Sequence, residues 1–179
     1  MGARRLVLLT AFLCYALDVP FRAIRCAYPL QPRMSAGTTD PALEPFNTLV
    51  GAWEIEATHP MFPSTVVRGH AEFEWLEGER FLLQRSRTDH PEFPDSLSVF
   101  GADDEGLSMN YFDSRGVHRV YRVSLSDDVW KIWRHAPGFS QEFMGRVSGD
   151  GNTIEGLWKL SRDDSTWNDD LAITFRRRA

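Results

Sequence analysis

The stretch VRGHAEFEW, residues Val67–Trp75, decides the fold class of this chain. Its apolar or small residues occupy every second position, and arginine, histidine or glutamate fills each position between them. Successive side chains of a β-strand point to opposite faces of the sheet, so this alternation predicts a strand with one packed and one solvated face. The same alternation occurs earlier, where Trp53, Ile55 and Ala57 are separated by glutamates. Two such strands in succession indicate a sheet that covers a core on one side.

Strand-like segments continue through the rest of the chain, and turn sequences separate them. The later predicted strands cover residues 81–87, 96–102, 107–112, 117–125, 129–135, 139–148, 153–161 and 167–177. The links between them are rich in glycine, which supplies positive φ, and in Asp, Asn and Ser, which bond to the local backbone. Consecutive hairpins form a meander, and ten strands close to avoid exposed edges. The sequence therefore predicts an all-β fold, a single antiparallel up-and-down β-barrel of about ten strands.

One short helix is predicted before the first strand. Residues 41–49 contain Leu43, Phe46 and Leu49, which we expect to plug one end of the barrel. No other convincing helix occurs in the barrel region. The chain also lacks a glycine-rich phosphate loop, a Gly-x-Ser-x-Gly elbow and a His-Glu-x-x-His motif. The sequence therefore offers a barrel with an N-terminal plug and no familiar catalytic motif.

Charge and cysteine usage divide the chain near residue 40. Residues 1–39 contain both cysteines, five arginines and one aspartate, whereas residues 40–179 carry 15 basic and 24 acidic side chains and no cysteine. We assign residues 40–179 to the barrel and residues 1–39 to an extension that is disordered or non-native. An acidic barrel repels a phosphate backbone, which argues against a nucleic-acid partner. Without a thiol the barrel has neither a cysteine nucleophile nor a thiolate metal site, and we expect no metal.

The extension has two interpretations. A basic start at residues 1–5 followed by an apolar run at residues 6–17 has the order of a signal peptide, although no clean cleavage site follows. The run is too short to span a bilayer comfortably. Alternatively, Met34 opens MSAGTTDPALEPF, which is typical of a cytoplasmic start, and the first 33 residues are then an over-extended reading frame. We expect a cytoplasmic protein with no membrane span in the barrel, and export is the alternative.

The beginning of the first strand resembles a known superfamily. Leu49-Val50-Gly51-Ala52-Trp53 resembles the Gly-x-Trp start of the calycins, which comprise lipocalins, fatty-acid-binding proteins and nitrobindins. The ten-strand length is similar to that of the nitrobindin-like and fatty-acid-binding members. The phrases at residues 111–117 and 145–158 resemble a bacterial family of unknown function related to these barrels. The resemblance covers about residues 43–178 and implies a barrel with an interior suited to a small ligand.

The resemblance also implies structural roles and departures from the family. In calycins the tryptophan lies at the closed end beneath a basic side chain of the last strand, which implies structural roles for Gly51 and Trp53 and a cation–π contact from Arg176 or Arg178. Nitrobindins hold haem through a histidine near the C terminus, and no histidine follows His135 here. The Arg-x-Tyr pair on the final strand of fatty-acid-binding proteins is also absent. We therefore expect no haem and no other cofactor.

Strand parity selects the candidate ligand-binding residues. Arg119 and Tyr121 share the more apolar face of their predicted strand, and Tyr111 reaches that face across the intervening turn. A buried guanidinium requires a partner, and no acid shares its strand face, so an anion or carbonyl clamp is predicted. An internal ion pair with a glutamate, or an outward-facing strand, are the alternatives. The other candidate lining residues are Trp75, Arg85, Trp133, Phe143 and Trp158.

These residues predict a protein that binds a small, largely apolar molecule, one bearing a carboxylate or carbonyl group, inside the barrel. One alternative is a barrel enzyme of the isomerase or cyclase type, in which the Tyr and Arg cluster polarises a substrate oxygen. Another is a structural or partner-binding barrel whose interior is filled by aromatic side chains. No inward pair of carboxylates supports glycosidase chemistry, and no residue is assigned a catalytic role.

The boundary near residue 40 is testable by truncation. A chain that begins at Met34 should fold and unfold cooperatively, because no period-two segment precedes residue 49. Its thermal unfolding, followed by circular dichroism, should match that of the full chain. A broad or absent transition would show that residues 1–33 contribute to the folded core.

Overall fold

The computed structural model describes residues 40–179. Its elements, in chain order, are a plug helix (Pro41–Leu49) and strands β1 (Gly51–Thr58), β2 (Val67–Trp75), β3 (Leu82–Thr88), β4 (Ser96–Asp103), β5 (Gly106–Asp113), β6 (His118–Ser126), β7 (Val129–Arg134), β8 (Ser140–Val147), β9 (Thr153–Ser161) and β10 (Asn168–Arg177). Each strand pairs antiparallel with the next, and β1 pairs with β10 to close the barrel. The predicted ten-strand, up-and-down barrel is confirmed.

The interpretations of residues 1–39, as a signal-like segment or as an over-extended start, lie outside the described residues. The helix described within residues 40–179, the nine-residue plug, is too short to span a bilayer.

The strands form where the sequence alternates, because burial follows the same period. In β1, Trp53, Ile55 and Ala57 are buried while Glu54 and Thr58 are exposed. Several of the hairpin links depend on glycine or aspartate at positive φ, and Asp127 and Asp128 both adopt it in the two-residue link between β6 and β7. The alternation of apolar and polar residues therefore determines the strands, and the turn residues at positive φ determine the hairpin links between them.

The plug helix is a 3-10 helix, in which side chains three residues apart lie above one another. Leu43, Phe46 and Leu49 have this spacing and are fully buried. Asp40 caps the helix, because its Oδ1 accepts a hydrogen bond from the backbone N–H of Ala42 at 2.9 Å. The Phe46 ring lies 5.7 Å from that of Phe100. The helix thus covers the end of the barrel where β1 begins.

A single arginine joins the plug to both edges of the barrel seam. Trp53 pairs in register with Arg177, and the guanidinium lies 4.2 Å above the indole ring. Its Nη atoms donate hydrogen bonds to the carbonyl oxygens of Val50 at 2.7 Å and Thr48 at 2.6 Å. The indole Nε1 of Trp53 donates to the Leu49 carbonyl at 2.7 Å. The last strand, the first strand and the plug therefore meet at one side chain.

The assignment of this cation to Arg176 or Arg178 was wrong. Side chains alternate along β10, so only Arg177 shares the inward face with Trp53. Arg176 points outward, where it forms an ion pair with Glu56 at 2.9 Å, and Arg178 is exposed beyond the end of the strand. The register of the β1–β10 pair, which the resemblance did not supply, decides which arginine stacks.

The structural role assigned to Gly51 has a geometric basis. Gly51 has φ +122°, a conformation that strains any residue with a side chain. A Cβ atom at this position would lie 2.9 Å from an Nη atom of Arg177. Glycine therefore provides both the backbone turn into β1 and the space for the guanidinium.

Replacement of Arg177 tests this closure. Arg177→Met should lower the free energy of unfolding by about 2–4 kcal/mol, because charged hydrogen bonds and a cation–π contact are lost together. Arg176→Met, on the same strand, removes only an exposed ion pair and should cost less than about 1 kcal/mol. Urea unfolding of both variants gives the comparison. Equal losses would contradict the assignment of the closure to Arg177.

Candidate functional site

An interior cavity of about 260 Å³ lies between the core at the plug end and the opposite end of the barrel. Its lining includes strand residues near that opposite end, such as Thr88, Arg119 and Gln141, and residues of two loops there, Phe93 and Arg115. The plug covers the other end, so we call this end the mouth. A molecule inside the barrel would contact the aromatic core on one side and these polar groups on the other.

Aromatic side chains form the inner wall of the cavity. The Phe143 ring lies 5.2 Å from both the Trp130 and the Trp158 rings, and Tyr121 lies 5.9 Å from Trp158. Phe143 fits because Gly156 lies beneath it: a Cβ there would be 2.3 Å from the ring. The spacing is typical of tilted and edge-on aromatic pairs, which stabilise such clusters beyond the area they bury.

Arg119 lies at the mouth without an acidic partner. Its Nη1 donates a weak hydrogen bond to the Gln141 Oε1 at 3.3 Å, and its guanidinium lies 4.1 Å above the Phe139 ring. No carboxylate oxygen within residues 40–179 lies within 4.0 Å of it. The alternative of an internal ion pair with a glutamate therefore does not hold in the described part of the chain.

Gln141 connects Arg119 to further polar groups at the mouth. The Tyr121 hydroxyl donates to the Gln141 Oε1 at 2.7 Å, and the Gln141 Nε2 lies 3.5 Å from the Asp170 Oδ2. Asp170 sits where the register of β10 shifts between Asp169 and Leu171. Such a bulge re-aims side chains, and consecutive residues Asp170 and Leu171 both line the cavity as a result.

A second polar group at the mouth is built around Asp113. Its Oδ2 accepts hydrogen bonds from the Tyr111 hydroxyl at 3.1 Å and from an Nη of Arg115 at 2.6 Å, and its Oδ1 accepts from the Val117 backbone N–H at 3.2 Å. Burial alone would raise the pKa of Asp113, but the Arg115 guanidinium and the backbone N–H groups lower that pKa to about 2. Asp113 is therefore ionised and holds Arg115 at the mouth.

Both tyrosines of the cavity are neutral. Burial raises the pKa of Tyr111 far above its ordinary value, and the negative charge of Asp113 raises it further. Burial also raises the pKa of Tyr121, although the neighbouring Arg119 opposes the increase. Both hydroxyl groups therefore keep their protons and act as hydrogen-bonding groups.

His59 at the mouth has both ring nitrogens engaged. Its Nε2 lies 3.2 Å from the Asp170 Oδ1, and its Nδ1 accepts a hydrogen bond from the Met61 backbone N–H at 3.0 Å. In the neutral ring the proton therefore resides on Nε2, where it is donated to the aspartate. This arrangement orients the loop after β1.

The structure places five of the eight predicted ligand-binding residues in the cavity wall. These five are Tyr111, Arg119, Tyr121, Phe143 and Trp158. Trp75 packs against the core at the plug end, where its Nε1 donates to the Asn47 Oδ1 at 2.9 Å. Trp75 therefore helps to seal the barrel instead of lining the cavity.

Arg85 and Trp133 were assigned to the wrong face of their strands. In β3 the inward residues are Leu82, Gln84 and Ser86, so Arg85 points outward and pairs with Glu74. The predicted strand began at residue 81, but Phe81 lies before β3 and is 43% exposed, and Arg85, four residues further on, has the same outward parity.

The assignment of Trp133 to the inward face was wrong for a related reason. In β7 the buried residues are Trp130 and Ile132, so Trp133 points outward. Tryptophan on both faces of this six-residue strand conceals its parity. Trp130, which the sequence reasoning passed over, takes the interior position.

Other cavity residues were missed by sequence reasoning. Gln141 shares the inward face of β8 with Phe143, so parity alone was sufficient to find it. Gln84 and Ser98 required the correct face of β3 and the cross-strand register. Asp170 and Arg115 had no recognisable signal, because a bulge and a turn determine where their side chains lie.

Comparison with known proteins finds solved structures of similar architecture. No protein-family model matches the chain, and no curated protein matches it significantly. The crystal structure of Rv2717c from M. tuberculosis is similar with a TM-score of 0.58 and 16% identity, over 79% of this chain and 100% of that one. The crystal structure of Echinococcus granulosus fatty-acid-binding protein 1 is similar with a TM-score of 0.53 and 13% identity, over 74% of this chain and 99% of that one. Together with the closed ten-strand barrel, these likenesses show that residues 40–179 have a calycin-like fold.

Proposed function

We propose that the barrel binds a small, largely apolar molecule with a carboxylate or carbonyl group, and that Arg119 holds the polar group at the mouth. The observation that carries this proposal is a guanidinium on the cavity wall with no carboxylate within 4.0 Å in the described region. A partly desolvated cation without an anion is unfavourable unless a ligand supplies one. A carboxylate accepts two parallel hydrogen bonds from a guanidinium, which gives both affinity and orientation.

Neighbouring groups support the same orientation. The Gln141 amide and the Tyr121 hydroxyl lie beside Arg119, and the Tyr121 proton, which is donated to the Gln141 Oε1 in the structure, can be donated to a carboxylate or carbonyl oxygen instead. The body of the ligand would then extend inward against Trp130, Phe143 and Trp158. Polar groups at one end and an aromatic wall beyond are typical of small-molecule sites.

The cavity volume favours a compact ligand. At about 260 Å³ it lies just below the roughly 300–1,000 Å³ usual for sites that enclose drug-sized molecules. The Echinococcus granulosus neighbour is a fatty-acid-binding protein, so the same architecture serves an organic acid there. For this chain the proposal rests on its own cavity and on Arg119.

A filled structural barrel would have no cavity, and here one extends from the core to the mouth, which favours binding over that alternative. The isomerase or cyclase alternative would use the same Arg119 and the neutral Tyr121 to polarise a substrate oxygen, and it requires turnover of the bound molecule in addition to binding. We further propose a cytoplasmic location for this binding protein, and export is the alternative.

Titration of organic acids into the full chain tests the proposal. Decanoate and cinnamate should bind, and Arg119→Met should weaken both by roughly thirtyfold or more, since a buried charge pair is worth about 2–5 kcal/mol. Decanol, which has the same alkyl chain without the charge, should bind both proteins similarly. Isothermal titration calorimetry measures each affinity.

Arg122→Met is the matched control. Arg122 lies on the same strand but points outward, where it pairs with Asp103 and Glu105. Its replacement should leave the affinity for decanoate unchanged. If Arg119→Met retained full affinity for the acids, or lowered the melting temperature of the ligand-free protein by many degrees, Arg119 would have a structural role and the proposal would fail.

A further inference from the structure

A continuous row of polar side chains crosses four neighbouring strands inside the barrel. Gln84 on β3 pairs in register with Ser98 on β4, Ser98 with Tyr111 on β5, and Tyr111 with Arg119 on β6. All four residues line the cavity. Paired strands lie about 4.8 Å apart, so the row spans about 14 Å of the wall. We call these four residues the polar row.

On β3, β4 and β5 the polar row ends sharply on the side of the plug, whereas on β6 it is followed by another polar residue, Tyr121. The next inward residues in that direction include Phe100 and Met109, which are buried and apolar. On the side of the mouth the wall remains polar, since Ser86 and Ser96 pair in register and both line the cavity. The Gln84 Nε2 donates to the Ser86 Oγ at 3.1 Å. Hydrogen-bonding groups therefore occupy the mouth half of this wall.

The facing wall has the opposite character. Strands β10, β1 and β2 contribute Ile173, Ile55, Ala57 and Val67 to the cavity, and the one polar residue that these strands add is Asp170, at the mouth. The cavity thus has one hydrogen-bonding side and one aliphatic side, and a ligand that fits it has two unlike faces. Arg119 alone does not require a ligand with two unlike faces, because a carboxylate bound to Arg119 would occupy only one end of the polar row.

Ser98 provides the most specific signal. The residue is 3% exposed and lines the cavity, and its hydroxyl forms no hydrogen bond within residues 40–179. Trp130, which is 2% exposed and also lines the cavity, has an indole N–H without a partner among the same residues. A buried polar group is normally hydrogen-bonded, so the Trp130 N–H points to a ligand, and the Ser98 hydroxyl, which faces the open cavity, offers that ligand a further donor and acceptor.

From these contacts we infer that the cavity selects a hydroxylated organic acid, one whose hydroxyl groups lie along one side and whose other side is apolar. This inference rests on the proposed function and narrows its ligand class. The carboxylate would bind Arg119, and the hydroxyl groups would lie against the polar row at Ser98 and Gln84. The apolar side would face Ile55 and Ile173. A plain acid of the same shape would cover Ser98 without satisfying its hydroxyl, and this cost produces the selectivity.

Two acids of matched shape test the inference. Cinnamate and 3,4-dihydroxycinnamate share a carboxylate and a ring, and only the second has hydroxyl groups. By calorimetry with the full chain, we expect the dihydroxy acid to bind at least about tenfold more tightly. Ser98→Ala should reduce this ratio to below about threefold, while the affinity for cinnamate changes by less than about twofold.

Ser124→Ala is the matched control, because Ser124 lies on the outward face of β6 between buried Val123 and Leu125. The affinity ratio should be unchanged in this variant. Gln84→Met provides a second test on the neighbouring strand and should also lower the ratio.

The outcomes separate the two proposals. If both acids bind, Arg119→Met weakens both, and the hydroxyl groups add no affinity, this inference is overturned while the proposed function stands. The same holds if the dihydroxy acid is preferred but neither Ser98→Ala nor Gln84→Met alters the preference. If neither acid nor decanoate binds the wild-type protein, the proposed function fails and the inference fails with it.

Discussion

The contact between Arg177 and Trp53 is the constraint on which the rest of the barrel depends. A barrel is closed only if its first and last strands pair, and these two residues are partners across that seam. The same guanidinium donates to carbonyls of Thr48 and Val50, which end the plug helix and lead into β1. The Arg177 guanidinium therefore links closure of the β1–β10 seam to docking of the plug helix, because its charged hydrogen bonds and its contact with Trp53 form together. Because this end is sealed, the cavity communicates with solvent at the other end, where the polar groups are concentrated.

The cavity exists because the interior is packed unevenly along the barrel axis. Near the plug, aromatic rings such as Trp130, Phe73 and Phe100 contact one another at centroid distances of 6.0–6.5 Å and fill the cross-section. Toward the mouth the inward positions of β3 and β4 hold serines and a glutamine, which are too small to meet the opposite wall. A barrel of this size must fill its interior with side chains or enclose a ligand. Here the change in side-chain size along the strands marks the point where filling stops and binding space begins.

Strand parity was a reliable guide where one face of a strand was plainly polar and an unreliable one elsewhere. It identified the inward face of β6, because charged and polar residues dominate the other face, and so it found Arg119 and Tyr121. It failed in β3, where two leucines are adjacent, and in β7, where tryptophans occupy both faces. An error of one residue exchanges the two faces completely. That exchange assigned Arg85 to the interior and concealed Gln84.

The sequence by itself determined the strands, the turns and the plug, because these follow from local periodicity and turn chemistry, and the resemblance of its Gly-x-Trp start implied the calycin-like class. The tertiary structure alone decided how residues far apart in the chain meet. The register of β1 with β10 selects Arg177 over its neighbours, and the bulge in β10 turns Asp170 toward the mouth, where it meets His59 from 111 residues away. The polar row likewise exists only through the pairing of four strands. Register and bulges depend on long-range hydrogen bonding and on closure of the whole barrel, and no local pattern of residues encodes them.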